Sequence, residues 1–309
     1  MLNVSRLQTL SAVASSGSLS GAAERLSYTQ SAVSQQIGAL EAEAGVALIE
    51  RHPRGVSLTP AGRALLQHTD GILARLRAAE EELAAIAGLR GGLLRIASFS
   101  TAGATLMPLA IATFRSRHPK VELTLVEGEP ERVAPRLAAG ELDLALLFEF
   151  EGSAEESPRE LERIPLLDDP MYLALPGGHR LADRQRLRLQ DLREEAWIQT
   201  SRQSACAKHV VRSCIAAGFE PNVSFESDDY QTVQGLVAAG VGVALIPELA
   251  LFGVRQDIAI RTLHPRPPLR QVTVAVPTGT RRTPAAHAML EILQGVASRY
   301  TPLGPLRAG

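Results

Sequence analysis

Cysteine and lysine are almost absent from this chain of 309 residues: there are two of each, Cys206 and Cys214, Lys120 and Lys208. Two cysteines cannot build a disulfide framework in a chain of this size. The other 30 of its 32 basic residues are arginine, which reflects codon bias before any function. Charge of one sign is also missing. The net charge is −1, and residues 1–63 hold five Arg against four Asp or Glu. That weakens the case for a large non-specific electrostatic hold on nucleic acid, and leaves specific groove reading and helix-start contacts to phosphate. No apolar run approaches the ~20 residues that span a bilayer. The first residues, Met1-Leu2-Asn3-Val4-Ser5-Arg6, carry no apolar signal core, so a cytoplasmic protein is expected. The seven His show no metal-ligand spacing, and neither a Gly-rich phosphate loop nor a Gly-x-Ser-x-Gly elbow occurs. An enzyme is therefore not expected, nor a cofactor. What is present, a hydrophobic content of 45%, supports real cores in two or more domains.

Residues 18–45 carry the most information. They read as two short helices joined by a tight turn. Ser18 or Ser20 caps the first, which sets Ala23 and Leu26 against the second. Thr29 caps the second, where Val33, Ile37 and Leu40 recur at i, i+4 and i+7 and define one buried face. The opposite face presents Gln30, Ser31, Ser34, Gln35 and Gly38. Side chains this short let a helix seat deeply in the major groove, about 12 Å wide, where Gln can bond two edge atoms of adenine. With Leu7, Leu10, Val13 and Ala14 forming a third amphipathic face upstream, the layout is that of a helix-turn-helix. A plain three-helix bundle would share the apolar periodicity, but the next segment favours DNA. Residues 46–49 and 56–58 are β-prone and flank the turn His52-Pro53-Arg54-Gly55, a hairpin wing. Arg51 and Arg54 on it either reach phosphate or the minor groove, or are ordinary solvated arginines.

Thr59-Pro60 then opens a helix running to about Ala87, before Gly88 and Gly91-Gly92. Leu65, Ile72, Ala79 and Ile86 recur every seventh residue, with Leu76 and Leu83 offset by four. This is a heptad seam ~40 Å long that calls for a partner helix, and Arg75, Arg77, Glu80, Glu81 and Glu82 flank it. A helix lying on its own domain is the alternative. After Gly92, strands are expected at 93–97, 121–126, 142–148, 171–175, 196–199, 223–226, 241–246 and 272–276. Helices are expected near 102–117, 130–139, 203–217, 229–239 and 284–298, giving an α/β region with mostly parallel sheets. An internal echo runs through it. Strand, helix and Ala-Ala-Gly before a buried strand occur at 123–146, around Ala138-Ala139-Gly140, and at 223–247, around Ala238-Ala239-Gly240. Two similar lobes with a cleft between them follow, exchanging strands near Ile164-Pro165 and His264-Pro265.

The whole chain resembles the LysR-type transcriptional regulators. The resemblance rests on Gly17-Ser18-Leu19-Ser20-x-Ala22-Ala23-x-x-Leu26, Gln30-Ser31-Ala32-Val33-Ser34-Gln35-Gln36-Ile37-x-x-Leu40-Glu41, Leu58-Thr59-Pro60-Ala61-Gly62, Leu142-Asp143-Leu144-Ala145 and Val237-Ala238-Ala239-Gly240-Val241-Gly242. Departures are modest: the family usually has Pro at Ser31, Phe at Leu19 and Ile49, and often Arg or Lys at Gly38. The resemblance implies an α/β architecture: a winged helix-turn-helix over 1–60, a linker and dimerisation helix over 61–89, and a two-lobed periplasmic-binding-protein-like effector domain. Lobe I would comprise 90–165 and 267–302, and lobe II 166–266. It implies promoter control by a small-molecule effector, binding to double-stranded operator DNA as a homodimer or dimer of dimers, and contact with RNA polymerase, with no membrane partner. By position, Gln30, Ser31, Ser34 and Gln35 match the family's recognition helix.

The resemblance also sets the starts of two helices facing each other across the lobes, where carboxylate effectors commonly sit. Ser100 and Thr101 open one; Thr200, Ser201 and Arg202 open the other, Arg202 adding a fixed cation. These hydroxyls also suit plain capping. Phe148 and Glu149 end a strand near the same cleft, Asp229 begins a helix there, and Pro247 closes the last strand of the echo. The acids favour an amine or mark a cap; the helix starts favour a small polar, anionic metabolite, which is the expectation carried forward. Cys206 and Cys214 lie eight apart on one expected helix, ~12 Å in rise, and cannot pair without unwinding it. Cys214 aligns with the second cysteine of the family's peroxide sensors and Cys206 falls one residue from the first. Lys208 and His209 would lower a thiol pKa; buried, inert cysteines are the other reading. A free solute-binding protein would explain the lobes but not residues 1–88.

Overall fold

The computed structural model describes residues 2–52, 55–86, 92–151, 160–184, 186–278 and 282–301. They form two compact units, one of residues 2–86 together with 138–141 and one of the other described residues from 92 onward.

In the first unit three helices surround a small core. α1 (Val4–Ser16) is capped by the Asn3 side chain, α2 (Leu19–Leu26) by Ser18 and α3 (Gln30–Ala44) by Thr29. Ser18, not Ser20, is the cap: its hydroxyl accepts from Gly21 N at 3.1 Å. Leu7, Leu10, Val13, Leu19, Ala22, Ala23, Val33, Ile37 and Leu40 form one buried cluster, so the apolar stripes of all three helices converge. β1 (Ile49–His52) and β2 (Gly55–Leu58) pair antiparallel as the hairpin. The first strand starts at Ile49 and not at Val46, because the Glu41 carboxylate accepts from Leu48 N at 2.8 Å and Ile49 N at 3.2 Å and fixes the segment before it. Pro53 and Arg54 lie outside the described residues.

α4 (Pro60–Ile86) leaves this core under close constraint. Thr59 Oγ1 donates to Ala47 O at 2.8 Å and accepts from Gly62 N at 2.9 Å. A Cβ on Gly62 would stand 2.0 Å from the Leu48 carbonyl oxygen, so only glycine lets helix and hairpin approach this closely. Leu65 packs on the core, whereas Ile72, Leu76 and Leu83 further along are exposed. The side chains of Arg77, Glu81, Glu82 and Ile86, and residues 87–91 where the helix end is expected, lie outside the described residues.

The second unit contains the echo as two like-wound copies. The first is β3 (Gly92–Ser98), α5 (Ser100–Arg117), β4 (Val121–Glu127), α6 (Pro130–Ala138) and β5 (Leu144–Phe150). A long strand, β6 (Leu161–Pro176), follows it. The second copy is β7 (Ala196–Gln199), α7 (Ala205–Ala216), β8 (Asn222–Glu226), α8 (Tyr230–Ala238) and β9 (Ala244–Pro247). The chain closes through β10 (Ile258–Arg261), β11 (Leu269–Pro277) and α9 (Pro284–Ala297). Each copy pairs its first two strands in parallel, and each Ala-Ala-Gly ends a helix on a left-handed glycine, Gly140 at φ +72° and Gly240 at +77°.

The sheets are mixed, not mostly parallel. β11 pairs antiparallel with both β5 and β6, and β6 pairs antiparallel with β9 and β10. Alternation along a strand reports burial and carries no information on partner direction. Ile164 and Pro165, expected as a connector, lie inside β6 opposite Val274 and Thr273. β6 itself is shared: it pairs with β11 up to Pro170 and with β9 from Met171.

Candidate nucleic-acid interface and ligand cleft

On α3 the capping and periodicity produce a polar face. Val33, Ile37 and Leu40 are fully buried, while Thr29, Gln30, Ser31, Gln35 and Gly38 are exposed on the other side. Thr29 Oγ1 accepts from Ala32 N at 3.2 Å and lies 3.0 Å from Ser31 Oγ. Ser34 is half-buried and accepts from Arg51 Nη2 of the wing at 2.9 Å, which ties the wing arginine to the middle of the helix. Ser20 is exposed beside the Ser18 cap. The structure thus assembles Thr29, Gln30, Ser31, Ser34, Gln35 and Arg51 on one helix-and-wing surface. Arg54 lies outside the described residues.

In the second unit the two copies meet around a side chain that sequence reasoning missed. Arg270, on β11, is 1% exposed. Its Nε donates to Asp169 Oδ2 at 2.6 Å and its Nη2 to Thr101 Oγ1 at 2.5 Å. The guanidinium lies 4.8 Å from the Phe99 ring centre and 4.6 Å from that of Phe148, so two ring faces replace the lost water. Cys206 and Tyr230, from the starts of α7 and α8, also adjoin Arg270. Glu129, immediately before α6, completes the group. Burial raises its pKa to about 7; Arg270 opposes that rise, while Glu131, Asp228 and Glu127 add to it.

Thr101 and Phe148 therefore belong to the cluster as expected, with Ser100 half-buried beside Thr101 at the first position of α5. Glu149 does not join it. Successive strand residues face opposite sides, and Glu149 turns from its neighbours Phe148 and Phe150 to pair with Arg163 at 3.6 Å. Thr200, Ser201 and Arg202 do not open a helix. They form the loop after β7, and Ser204 caps α7 by accepting from Ala207 N at 3.0 Å, with Thr200 Oγ1 2.6 Å from Ser204 Oγ.

The loop amides are occupied by the chain's own acids: Ser201 N donates to Asp228 at 2.8 Å, Arg202 N to Glu226 at 3.3 Å and Ala205 N to Glu131. Arg202 is exposed and paired through Nε with Glu226 at 2.7 Å, so the cation expected to be available to an effector is neutralised. Asp229 is the α8 cap. The Thr232 hydroxyl and the Gln231 amide hold its carboxyl below the usual range. Pro247 is buried at the end of β9, opposite Met171.

The thiols sit in the wrong surroundings for activation. Burial pushes Cys206 up to about 11 and Cys214 up to about 12. His209 stacks on Phe150 at 4.0 Å, and burial followed by Arg212 brings its pKa down to about 4, so it is a neutral neighbour at pH 7.

Comparison with known proteins matches both units. A family model described as the LysR substrate binding domain covers residues 87–298, and one described as a bacterial regulatory helix-turn-helix protein of the lysR family covers residues 4–63. The probable HTH-type transcriptional regulator LrrA of Synechococcus elongatus is 32% identical over 310 residues, spanning 98% of this chain and 100% of that protein. The hydrogen peroxide-inducible genes activator of Dickeya chrysanthemi is 31% identical over 250 residues, spanning 81% of this chain and 80% of its own. Among solved structures, a full-length cysteine-to-aspartate variant of OxyR from Pseudomonas aeruginosa matches with a TM-score of 0.74 at 22% identity, covering 99% of this chain and 97% of that one, a likeness of fold.

Proposed function

Because the chain belongs to the LysR family of transcriptional regulators, with a DNA-binding helix-turn-helix and an effector-binding domain, we propose that α3 reads its operator from the major groove. Gln30, Ser31, Ser34 and Gln35 contact base edges and the adjoining backbone, Ser18, Ser20 and Thr29 lie at helix starts facing phosphate, and Arg51 with Arg54 follows the backbone from the wing. The observation that carries this reading is the exposure of Gln30, Ser31 and Gln35 opposite a fully buried Val33-Ile37-Leu40 face. Two copies pair through the exposed Ile72, Leu76 and Leu83 of α4, as a homodimer or a dimer of dimers, and act at promoters alongside RNA polymerase. The work is binding, not catalysis, and it takes place in the cytoplasm, where the DNA is. No helix among the described residues is long and apolar enough to cross a membrane.

The cleft around Thr101, Phe148 and Arg270 receives the small-molecule effector, with Ser100, Thr200, Ser201 and Arg202 at its edge. Closure of the two lobes on that molecule is the event passed to the DNA-binding unit.

Fluorescence anisotropy with the duplex upstream of this gene, against a scrambled duplex of equal length at moderate salt, tests the DNA half. The native chain should prefer its own sequence, and Gln30→Ala and Gln35→Ala should reduce that preference by about 1–3 kcal/mol each. Equal affinity of the native chain for both duplexes rejects the reading.

A further inference from the structure

An anionic ligand held at a helix start needs open amides and a spare cation. At α7 both are taken. Asp228, Glu226 and Glu131 accept from the amides of Ser201, Arg202 and Ala205, Glu226 also neutralises Arg202, and Asp169 neutralises Arg270. Glu131 reaches α7 from the other copy of the repeat, so acids of both lobes converge here. Acids outnumber cations here: Glu129 is half-buried and crowded by Glu131, Asp228 and Glu127, with Arg270 as the opposing cation.

Two buried polar groups beside this cluster lack partners. Tyr230 is 8% exposed; its hydroxyl faces Arg270 and Glu129 and has only the weak thiol of Cys206 against it. Gln199, the last residue of β7 and the register partner of Glu226, is 7% exposed and leaves its side-chain oxygen unpaired. An unmet buried acceptor costs about 1–3 kcal/mol, which a ligand that donates hydrogen bonds removes. The equivalent acid of the second copy, Asp229, spends its carboxylate on capping α8 at the surface, whereas Glu129 is half-buried within reach of Arg270's charge.

We infer that the cleft takes a ligand bearing a protonated amine or guanidine, with its cation against the Glu129 carboxylate and a hydrogen bond to the Tyr230 hydroxyl. This rests on the cleft being the effector site. A carboxylate ligand would have to displace the three acids that hold these amides, whereas a cation offsets the excess of acid in the cluster.

Thermal shift and calorimetry on the full chain test this. The probes are 1,4-diaminobutane, agmatine and L-arginine, set against succinate and adipate at matched millimolar concentration. At least one amine should raise Tm with a dose dependence, since a ligand bound only by the native state stabilises it. Glu129→Gln should weaken that response about tenfold or more, as loss of one partner of a partly desolvated charge pair does. Glu122→Gln, an exposed acid on β4, should leave it unchanged. Absence of any amine shift overturns the inference, and so does an amine shift that survives Glu129→Gln. A carboxylate shift abolished by Thr101→Val also overturns it, while leaving the cleft as the effector site. Shifts of either class that no cleft substitution alters reject the cleft itself.

Discussion

Asp169 and Arg270, 101 positions apart in the chain, form an ion pair at 2.6 Å whose side chains are 0% and 1% exposed. Asp169 lies next to the point where β6 passes from one strand partner to the next, and it also accepts from Leu249 N at 3.0 Å. The pair therefore fastens β6, β11 and the turn after β9 to one another. Removing one member leaves an uncompensated charge in an interior ringed by Phe99 and Phe148. Asp169→Ala or Arg270→Met alone should cost about 3–5 kcal/mol in denaturant unfolding, and replacing both by apolar residues should cost clearly less. Equal or additive losses would show that the two do not act as a pair.

Gly62 offers a test with an unusual sign. Alanine inside a helix normally gains about 1 kcal/mol over glycine. Here the new Cβ meets the Leu48 carbonyl at 2.0 Å, and that carbonyl also accepts from Thr59 N at 3.0 Å. Gly62→Ala should lower Tm and weaken DNA binding together. A raised Tm would contradict the close approach of α4 to the hairpin.

His209 gives the effector domain an acid-sensitive point. Between 6.5 and about 4 the unfolded chain holds a proton on this ring that the folded chain does not. Stability contributed by His209 is complete above that window and is lost as pH falls through it, because the unfolded state then binds more protons. The unfolding free energy should therefore decline on acidification below about 6.5, and His209→Gln should flatten that limb. An unchanged slope in the variant would contradict the buried, neutral ring.

Cys206 and Cys214 should behave as packing residues. At neutral pH a thiol-specific reagent should label neither in the folded chain and both after denaturation, and micromolar peroxide should leave them reduced. Rapid oxidation of the native protein would restore a sensing role despite their distance from the thiolate form.

Much of the fold was legible because it is written locally. Ser18 and Thr29 are caps in sequence and in structure, and the Ala-Ala-Gly echo marks the two copies of the second unit. β10 was not anticipated, and neither were the length of β6 and the antiparallel pairing of β11, because partner choice depends on residues 70 or more positions away. The cluster around Arg270 was hidden for the same reason. Arg270 and Thr101 touch across 169 positions, and neither carries a motif. One signal was available: Arg270 shares a strand face with Val272, Val274 and Val276, all buried, and an arginine on such a face needs a buried partner. The loop amides mislead in the opposite direction: Thr200, Ser201 and Arg202 read as a helix opening, whereas α7 begins at Ala205 and Glu226 holds the arginine.

Everything proposed for the DNA depends on α3 acting in pairs. Dimethyl sulfate and DNase I footprinting across the upstream region measures this directly. Two major-groove half-sites should be protected, related by a dyad and set a whole number of ~10.5 bp turns apart. Both should vanish together in Gln35→Ala. A single protected patch, or protection indifferent to Gln35, would contradict the account.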